Sequence, residues 1–364
     1  MSSVPSKLEN NIDALYRKNQ VKSISFLVIL SSILLTTILL SLRAGSYETP
    51  IGELLKGIFG LSADRKINIV VQNNRLPRIL TAIIAGGGLG LAGCILQAVL
   101  RNPLASSSTL GVSQGAAFGA AIGIIVFGGG AVTSSTAAST VSVDNPYIVT
   151  LCAFVFGSLS SLVILAISRL KRNAGAGTLI LAGTALSSMF SGGSTLLQYF
   201  ADDSALGAVV FWTFGNLGSA NWKDLAFLAV VFVVTLAYFL FNRWNYNAME
   251  AGADTAQSLG VNTRTVMLAG MAVCSLSAAV AVSFVGIIGF VGLIAPHIMR
   301  IFLGNDHRYL IPGSALAGAL LLLLADTCAK IIMPPVILPI GALMSFVGGP
   351  MFLFLLFKGR DTRG

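Results

Sequence analysis

Apolar residues in this chain run on for twenty or more positions at a time, and polar residues gather in short clusters between the runs. Runs almost free of charge predict membrane-spanning helices near 24–42, 79–100, 109–132, 147–168, 178–200 and 225–241, and again near 310–329 and 338–357. About 20 apolar residues cover the roughly 30 Å of bilayer hydrocarbon. One run is too long for that job. Thr265 to Met299 is 35 residues without an Asp, Glu, Lys or Arg, and as a single helix it would rise about 52 Å. The stretch "VGIIGFVG", Val285 to Gly292, offers a break that divides it into two short spans.

The placement of charge decides between nine spans and ten. With ten, both termini share one side of the membrane, and taking that side as cytoplasmic puts 15 of the 23 basic residues inside. Six of the eight left outside lie in residues 43–78. With nine, Arg300, Arg308 and the C-terminal cluster would change sides with Lys330, and the inside excess of Lys and Arg would collapse. The positive-inside rule therefore favours ten spans, an all-α polytopic membrane fold. The division that follows is a cytoplasmic segment at 1–23, a transmembrane domain at 24–358 and a cytoplasmic tail at 359–364. Five spans plus five permit an inverted repeat, although no sequence repeat is visible.

Composition agrees. The chain is 55% hydrophobic and 10% charged, with mean hydropathy +0.84; a soluble domain carries about 25% charged residues. Its net charge of +9 sits in clusters between spans and not on one aromatic-laced face, so the basic residues read as topology signals and not as a nucleic-acid surface. The first apolar run follows about 22 polar residues and has no small-residue cleavage site after it, so it reads as a retained span.

The connecting segments differ in character. "IGELLKGIFGL" within 43–78 predicts a short external surface helix. "GGGAVTSSTAASTVSVDNP" has the composition of an external linker, and 201–223 is external with aromatics suited to the interface. The longest inner loop, 242–264, has helix-forming and small residues with a break at Gly260; it reads equally as two short cytosolic helices for a soluble partner or as a plain connection. Within the spans, Gly111, Gly115, Gly119 and Gly123 repeat every fourth position, and Gly86-x-x-x-Gly90 adds a second small face. Such faces let helix backbones approach closely, here for packing within the chain.

Chemistry is sparse. There is no G-x-x-x-x-G-K-[ST], no H-E-x-x-H and no G-x-S-x-G in a strand–turn–helix setting. Cys94, Cys152, Cys274 and Cys328 form no C-x-x-C pair and read as small core residues. His297 and His307, ten residues apart with Asp306 beside them, make a poor metal site and read as helix-end residues facing headgroups or protein. Ionisable groups inside spans mark ion pathways, and here Asp326 stands nearly alone, placed to pair with Lys330 four residues on. The energy source of any transport therefore lies outside the chain. A secondary transporter or channel independent of an ATPase is the alternative, and an intramembrane enzyme would need paired Asp, Ser–His or metal ligands that the spans lack.

Three long stretches carry a resemblance. "RLPRILTAIIAGGGLGLAGCILQAVLRNPLASSSTLGVSQGAAFGA" (Arg75 to Ala120), "ADTAQSLGVN" (Ala253 to Asn262) and "GFVGLIAPHIMRIFLGNDHRYLIPGSALAGALLLLLAD" (Gly289 to Asp326) resemble the FecCD family, and "LPIGALMSFVGGPMFLFLLFK" (Leu338 to Lys358) matches its final span. These are permeases of type II ATP-binding-cassette (ABC) importers for iron–siderophores, haem and vitamin B12, in bacterial or archaeal cytoplasmic membranes. The resemblance implies a ten-span permease fold and a translocation path shared with a second permease subunit, identical or paralogous. Two cytosolic ATPases would act from below and an extracytoplasmic binding protein from above. It implies no catalytic residue, metal site or cofactor in this chain.

By position, the resemblance makes Arg75, Arg78 and Lys330 exposed outer cations that receive acidic side chains of the binding protein; plain interface anchors are the alternative. Lys330 stands where the family usually has arginine, which weakens the case for a bidentate contact. "EAGADTAQSLG" matches the ATPase-coupling helices, with Glu250, Gly252, Ala253, Ala256, Leu259 and Gly260 as contacts. "NAGAG", with Ala174, Gly175, Ala176 and Gly177, occupies the place of the cytoplasmic gate, or is a Gly-rich turn. The fifth span ("TALSSMFSGGSTLLQYF") and the tenth are expected to wall the cavity. A ferric siderophore is the expected cargo, with haem and cobalamin open.

Overall fold

The computed structural model describes residues 5–44, 50–129, 131–135, 138–142, 145–170, 175–334 and 336–358. The chain opens with α1 (Pro5–Arg43), the surface helix α2 (Ile51–Ile58) and α3 (Arg65–Val70), which runs through a π turn at Val71–Arg75 into α4 (Leu76–Val99). Next come α5 (Val112–Ala121) with a π turn at Ile122–Val126, strands β1 (Ala131–Ser135) and β2 (Ala138–Ser142), α6 (Pro146–Leu170), α7 (Ala176–Tyr199), α8 (Asp203–Thr213) and α9 (Trp222–Phe241). The remainder is α10 (Arg243–Glu250), α11 (Ala253–Ser258), α12 (Thr263–Val285), α13 (Val291–Leu303), α14 (His307–Ile331) and α15 (Ile340–Lys358).

Among the described residues, seven helices are long and apolar enough to cross a membrane, and three shorter apolar helices occupy Val112–Val126, Val291–Leu303 and Ile340–Phe354. Together they account for every apolar run in the sequence. The long run breaks where glycine permits it. Gly286 turns out of α12 at φ +76° while its N–H still closes on the Val282 carbonyl. Residues 286–290 are non-helical, and Phe290 enters α13 at φ +66°. With 13 residues, α13 rises only about 20 Å. Non-helical backbone at membrane depth needs protein partners. Here the Asn216 N–H donates to the Val285 carbonyl at 2.8 Å, and the Gly341 N–H donates to Phe214 at 2.9 Å.

The bundle is layered by residue size. Helices α4, α12 and α14 form its centre, with 83, 67 and 72% of their apolar windows buried, against 17–33% for α1, α6, α7 and α9. The central helices are Gly- and Ala-rich, so they approach backbone to backbone. A Cβ at Gly86 would meet the Gly318 carbonyl, and one at Gly90 would meet Ser314, so this face of α4 lies on α14. A Cβ at Gly93 would run into the Gly292 carbonyl of α13. Gly115, Gly119 and Gly123 face Phe156, Cys152 and Val149 of α6, while Gly111, at φ +80°, starts α5 against Ser160. A Gly318→Leu variant is expected to lose about 3 kcal/mol or more, because the obstacle is backbone and not a side chain that can move. Denaturation of the purified chain in mixed micelles checks this.

Two connections deserve comparison with their sequence. The stretch "IGELLKGIFGL" contains the helix α2, with Leu54 packed among Ile58, Ile67, Val71 and Leu76. The supposed linker after Gly128 is not featureless: β1 and β2 form an antiparallel hairpin with Val132 opposite Val141 and Thr133 opposite Thr140. Those β-branched pairs fit a pleated ladder better than a flexible coil.

Candidate functional sites at the two ends of the bundle

At the end of the bundle where α4 begins, three helices bring their charges together. Arg75 closes the π turn before α4, is 7% exposed, and donates from Nη1 to the Leu42 carbonyl of α1 at 2.6 Å. One turn later, Arg78 Nε donates to Asp326 Oδ1 of α14 at 2.7 Å. Lys330, four residues after Asp326, meets the other carboxylate oxygen at 2.5 Å and lies 3.5 Å from the Ser41 hydroxyl. The expected Asp326–Lys330 pair is therefore present, and Arg78 joins it from 248 positions away.

One expectation is corrected here. The three cations were placed on an exposed rim, yet the side chains of Arg78 and Lys330 are 12 and 8% exposed. The reason is local neutralisation: Asp326, fully buried, accepts from Arg78 and forms an ion pair with Lys330, and this pairing allows both cations to be drawn inside. The loop between α8 and α9 also lies over Arg78, because a Cβ at Gly218 would come within 3.1 Å of its Nη1. Two cations to one carboxylate leave the cluster one unit positive, with Arg75 beside it.

At the opposite end, where α4 finishes, the 242–264 loop folds as two short helices, α10 and α11. Gly252, at φ +129°, makes the turn between them, a conformation that a side chain would strain. Ala256 is fully buried and seats α11 on the bundle. Ala253 and Gly260 are exposed, and Leu259 is 68% exposed, an apolar residue with no covering partner among the described residues. Glu250 instead turns toward Arg300 of α13 at 3.6 Å. The outer surface also includes Asp254, Thr255, Gln257 and Ser258, which the sequence reading omitted; their placement around buried Ala256 was the available signal.

The loop is latched to the bundle by Asn247, another omission. Its amide oxygen accepts from the backbone N–H of His307 at 2.8 Å and lies 2.9 Å from His307 Nδ1; its Nδ2 donates to Asp306 at 2.9 Å. His307 is fully buried, with its ring 5.9 Å from that of Tyr246. That histidine is a fastener between α10 and α14. Asn247→Leu is expected to cost about 1–3 kcal/mol by leaving these buried donors unmade. Faster amide exchange across α10, with the helices of the bundle centre unchanged, is the check.

At the start of α7, Gly175 and Gly177 are exposed, and a Cβ on either would meet open space. Ala174 lies outside the described residues, and for Ala176 only the backbone is described. The exposed face of α7 carries Thr184, Ser188, Ser191, Gly192 and Thr195, with Met189 and Tyr199, and no charge.

Comparison with known proteins fits this geometry. The model of the FecCD transport family matches residues 33–358. The chain belongs to that family. It is 48% identical over 343 residues to a protein of Methanocaldococcus jannaschii named as an ABC transporter permease, covering 94% of this chain and 97% of the relative. It is 35% identical to the haemin transport system permease protein of Yersinia pestis, covering 80% and 84%. Among solved structures it resembles a metal-chelate type ABC transporter in an inward-facing conformation, with a TM-score of 0.78, 31% identity and coverage of 92% and 99%. This FecCD chain is thus a multi-pass membrane protein and an ABC-importer permease, a transport component.

Proposed function

We propose that this permease carries an iron chelate, of the ferric-siderophore or haem class, across the cytoplasmic membrane along a path shared with a second permease subunit. An extracytoplasmic binding protein delivers the chelate, and two cytosolic ATPases hydrolyse the ATP; this chain has no ATP site of its own. Both termini are placed in the cytoplasm in this reading, which the distribution of Lys and Arg between the two sides favours. The observation that carries the cargo is the agreement of a haemin permease relative with a metal-chelate type structural relative.

The geometry supports a role for each end. The Arg75–Arg78–Lys330 region keeps a net positive charge after Asp326 is counted, which favours an acidic binding-protein surface. Leu259 and the residues around it offer a small, partly apolar knob for an ATPase cleft. The exposed hydroxyl face of α7, with α15, walls the path, and its lack of charge suits a bulky chelate passed without tight binding. Gly175 and Gly177 leave space for two subunits to close a constriction. The cargo is tested by reconstituting the permease with its ATPase and binding protein and offering radiolabelled iron as hydroxamate, catecholate and citrate chelates, haem, and cobalamin in parallel. Uptake of an iron species at least tenfold above cobalamin supports the proposal, and preferential cobalamin uptake refutes the iron assignment.

A further inference from the structure

A further feature lies at the cytoplasmic membrane surface, adjoining the latch at Asp306. The start of α1 and the turn between α13 and α14 enclose a cavity of about 470 Å³ lined by Tyr16, Asn19, Gln20, Lys22, Asp306 and Tyr309, among others. Tyr16, Asn19, Gln20 and Ser23 recur at helical spacing, so one face of α1 supplies its wall. Arg308 reaches the same edge and donates from Nη1 to the Tyr16 hydroxyl at 2.9 Å. Asp306 is occupied by Asn247 and by the Arg308 backbone N–H. Lys22 and Arg300 line the cavity and Arg308 stands at its edge on Tyr16, three positive charges against the one carboxylate of Asp306. Among the described residues, the Tyr309 hydroxyl in the wall is buried without a hydrogen-bond partner.

Apolar surface adjoins the polar wall of the cavity. Phe26 stacks on Phe302 with ring centroids 4.7 Å apart, and Ile24, Ile301 and Phe302 present 47, 60 and 49% exposed apolar surface just beyond the polar residues. Polar residues on a basic mouth continuing into an outward apolar wall describe an amphipathic occupant. Its depth, beside Lys22 immediately before the first span, is that of the headgroups.

We infer that this cavity holds the phosphodiester headgroup of a membrane phospholipid in the cytoplasmic leaflet, with the acyl chains along Phe302 and Ile301. Lys22 and Arg308 meet the phosphate, and the Asn19 and Gln20 amides and Tyr16 hydroxyl meet the remaining headgroup oxygens.

Native mass spectrometry of the full chain in detergent tests this, using phosphatidylglycerol and a diacylglycerol with the same acyl chains. Phosphatidylglycerol is expected to be retained about tenfold over the diacylglycerol. Lys22→Gln should weaken that retention about fivefold, the effect of one basic residue near a lipid phosphate. Lys22 is exposed, so the variant folds; Lys56→Gln on the external α2 is the control expected to change nothing. A phosphatidylglycerol bearing a photoreactive acyl chain should cross-link to the 301–302 region. Equal retention of the two lipids, retention unaffected by Lys22→Gln, or displacement of phosphatidylglycerol by millimolar inorganic phosphate would overturn the assignment. So would its loss when the cognate ATPase binds, which would make the cavity part of a protein interface.

Discussion

Replacing Asp326 by asparagine is expected to destabilise the permease by about 3–5 kcal/mol, the cost of stranding a buried cation by removing its partner. The effect is large because this carboxylate is fully buried and serves two cations at once, Arg78 at 2.7 Å and Lys330 at 2.5 Å. Three helices, α1, α4 and α14, meet at that point through Leu42, Ser41, Arg78 and Lys330. Removing all three charges together, as Arg78→Met, Asp326→Leu and Lys330→Met, should restore most of the loss, since a well-packed apolar replacement of a buried ion cluster is often neutral. The combined variant separates structure from docking: its unfolding in detergent should approach that of the parent, while its affinity for the binding protein at low salt falls. Parental affinity in a stable triple variant would remove Arg78 and Lys330 from the docking surface.

Leu259→Asp should leave the fold intact and abolish productive coupling. The side chain is 68% exposed in the chain by itself, so its replacement removes little internal packing. In a complex, an exposed apolar knob at the centre of a cleft behaves as a hot spot, with a loss of about 2 kcal/mol or more on truncation, roughly thirtyfold in affinity. A carboxylate there adds desolvation to lost contact. ATPase co-purification should fall accordingly, and ATP-driven uptake with it, while the melting profile of the isolated permease does not move. Ala256→Asp should behave differently, because Ala256 is fully buried and its loss would unseat α11 itself.

Much of the architecture was legible because hydropathy and charge placement are local. All ten apolar runs became helices, and the break in the longest fell where Gly286 can adopt a positive φ. The i,i+4 pairing of Asp326 with Lys330 was equally local, and so readable. What escaped was long-range. Nothing near Arg78 announces Asp326, 248 residues later, so cations read as a solvent-exposed rim were found drawn inside by a shared partner. Asn247 looked like any polar loop residue until α14 brought Asp306 and His307 to it. Phe290, at the start of α13, carries a positive φ that no sequence rule assigns to phenylalanine. The hairpin was hidden by a Ser/Thr-rich composition, although the adjacent pairs Val132–Thr133 and Thr140–Val141 are β-branched residues that favour a ladder.

The central claim, that this chain is a permease whose energy comes from an associated ATPase, is tested most directly by uptake into proteoliposomes. Permease and ATPase are reconstituted together, the binding protein is supplied with its iron chelate, and ATP is provided on the ATPase side. Uptake is expected only when ATP, ATPase and binding protein are all present, and it should be lost in the Leu259→Asp variant. Chelate accumulation that persists without the ATPase would contradict the account and point to a secondary transporter or channel.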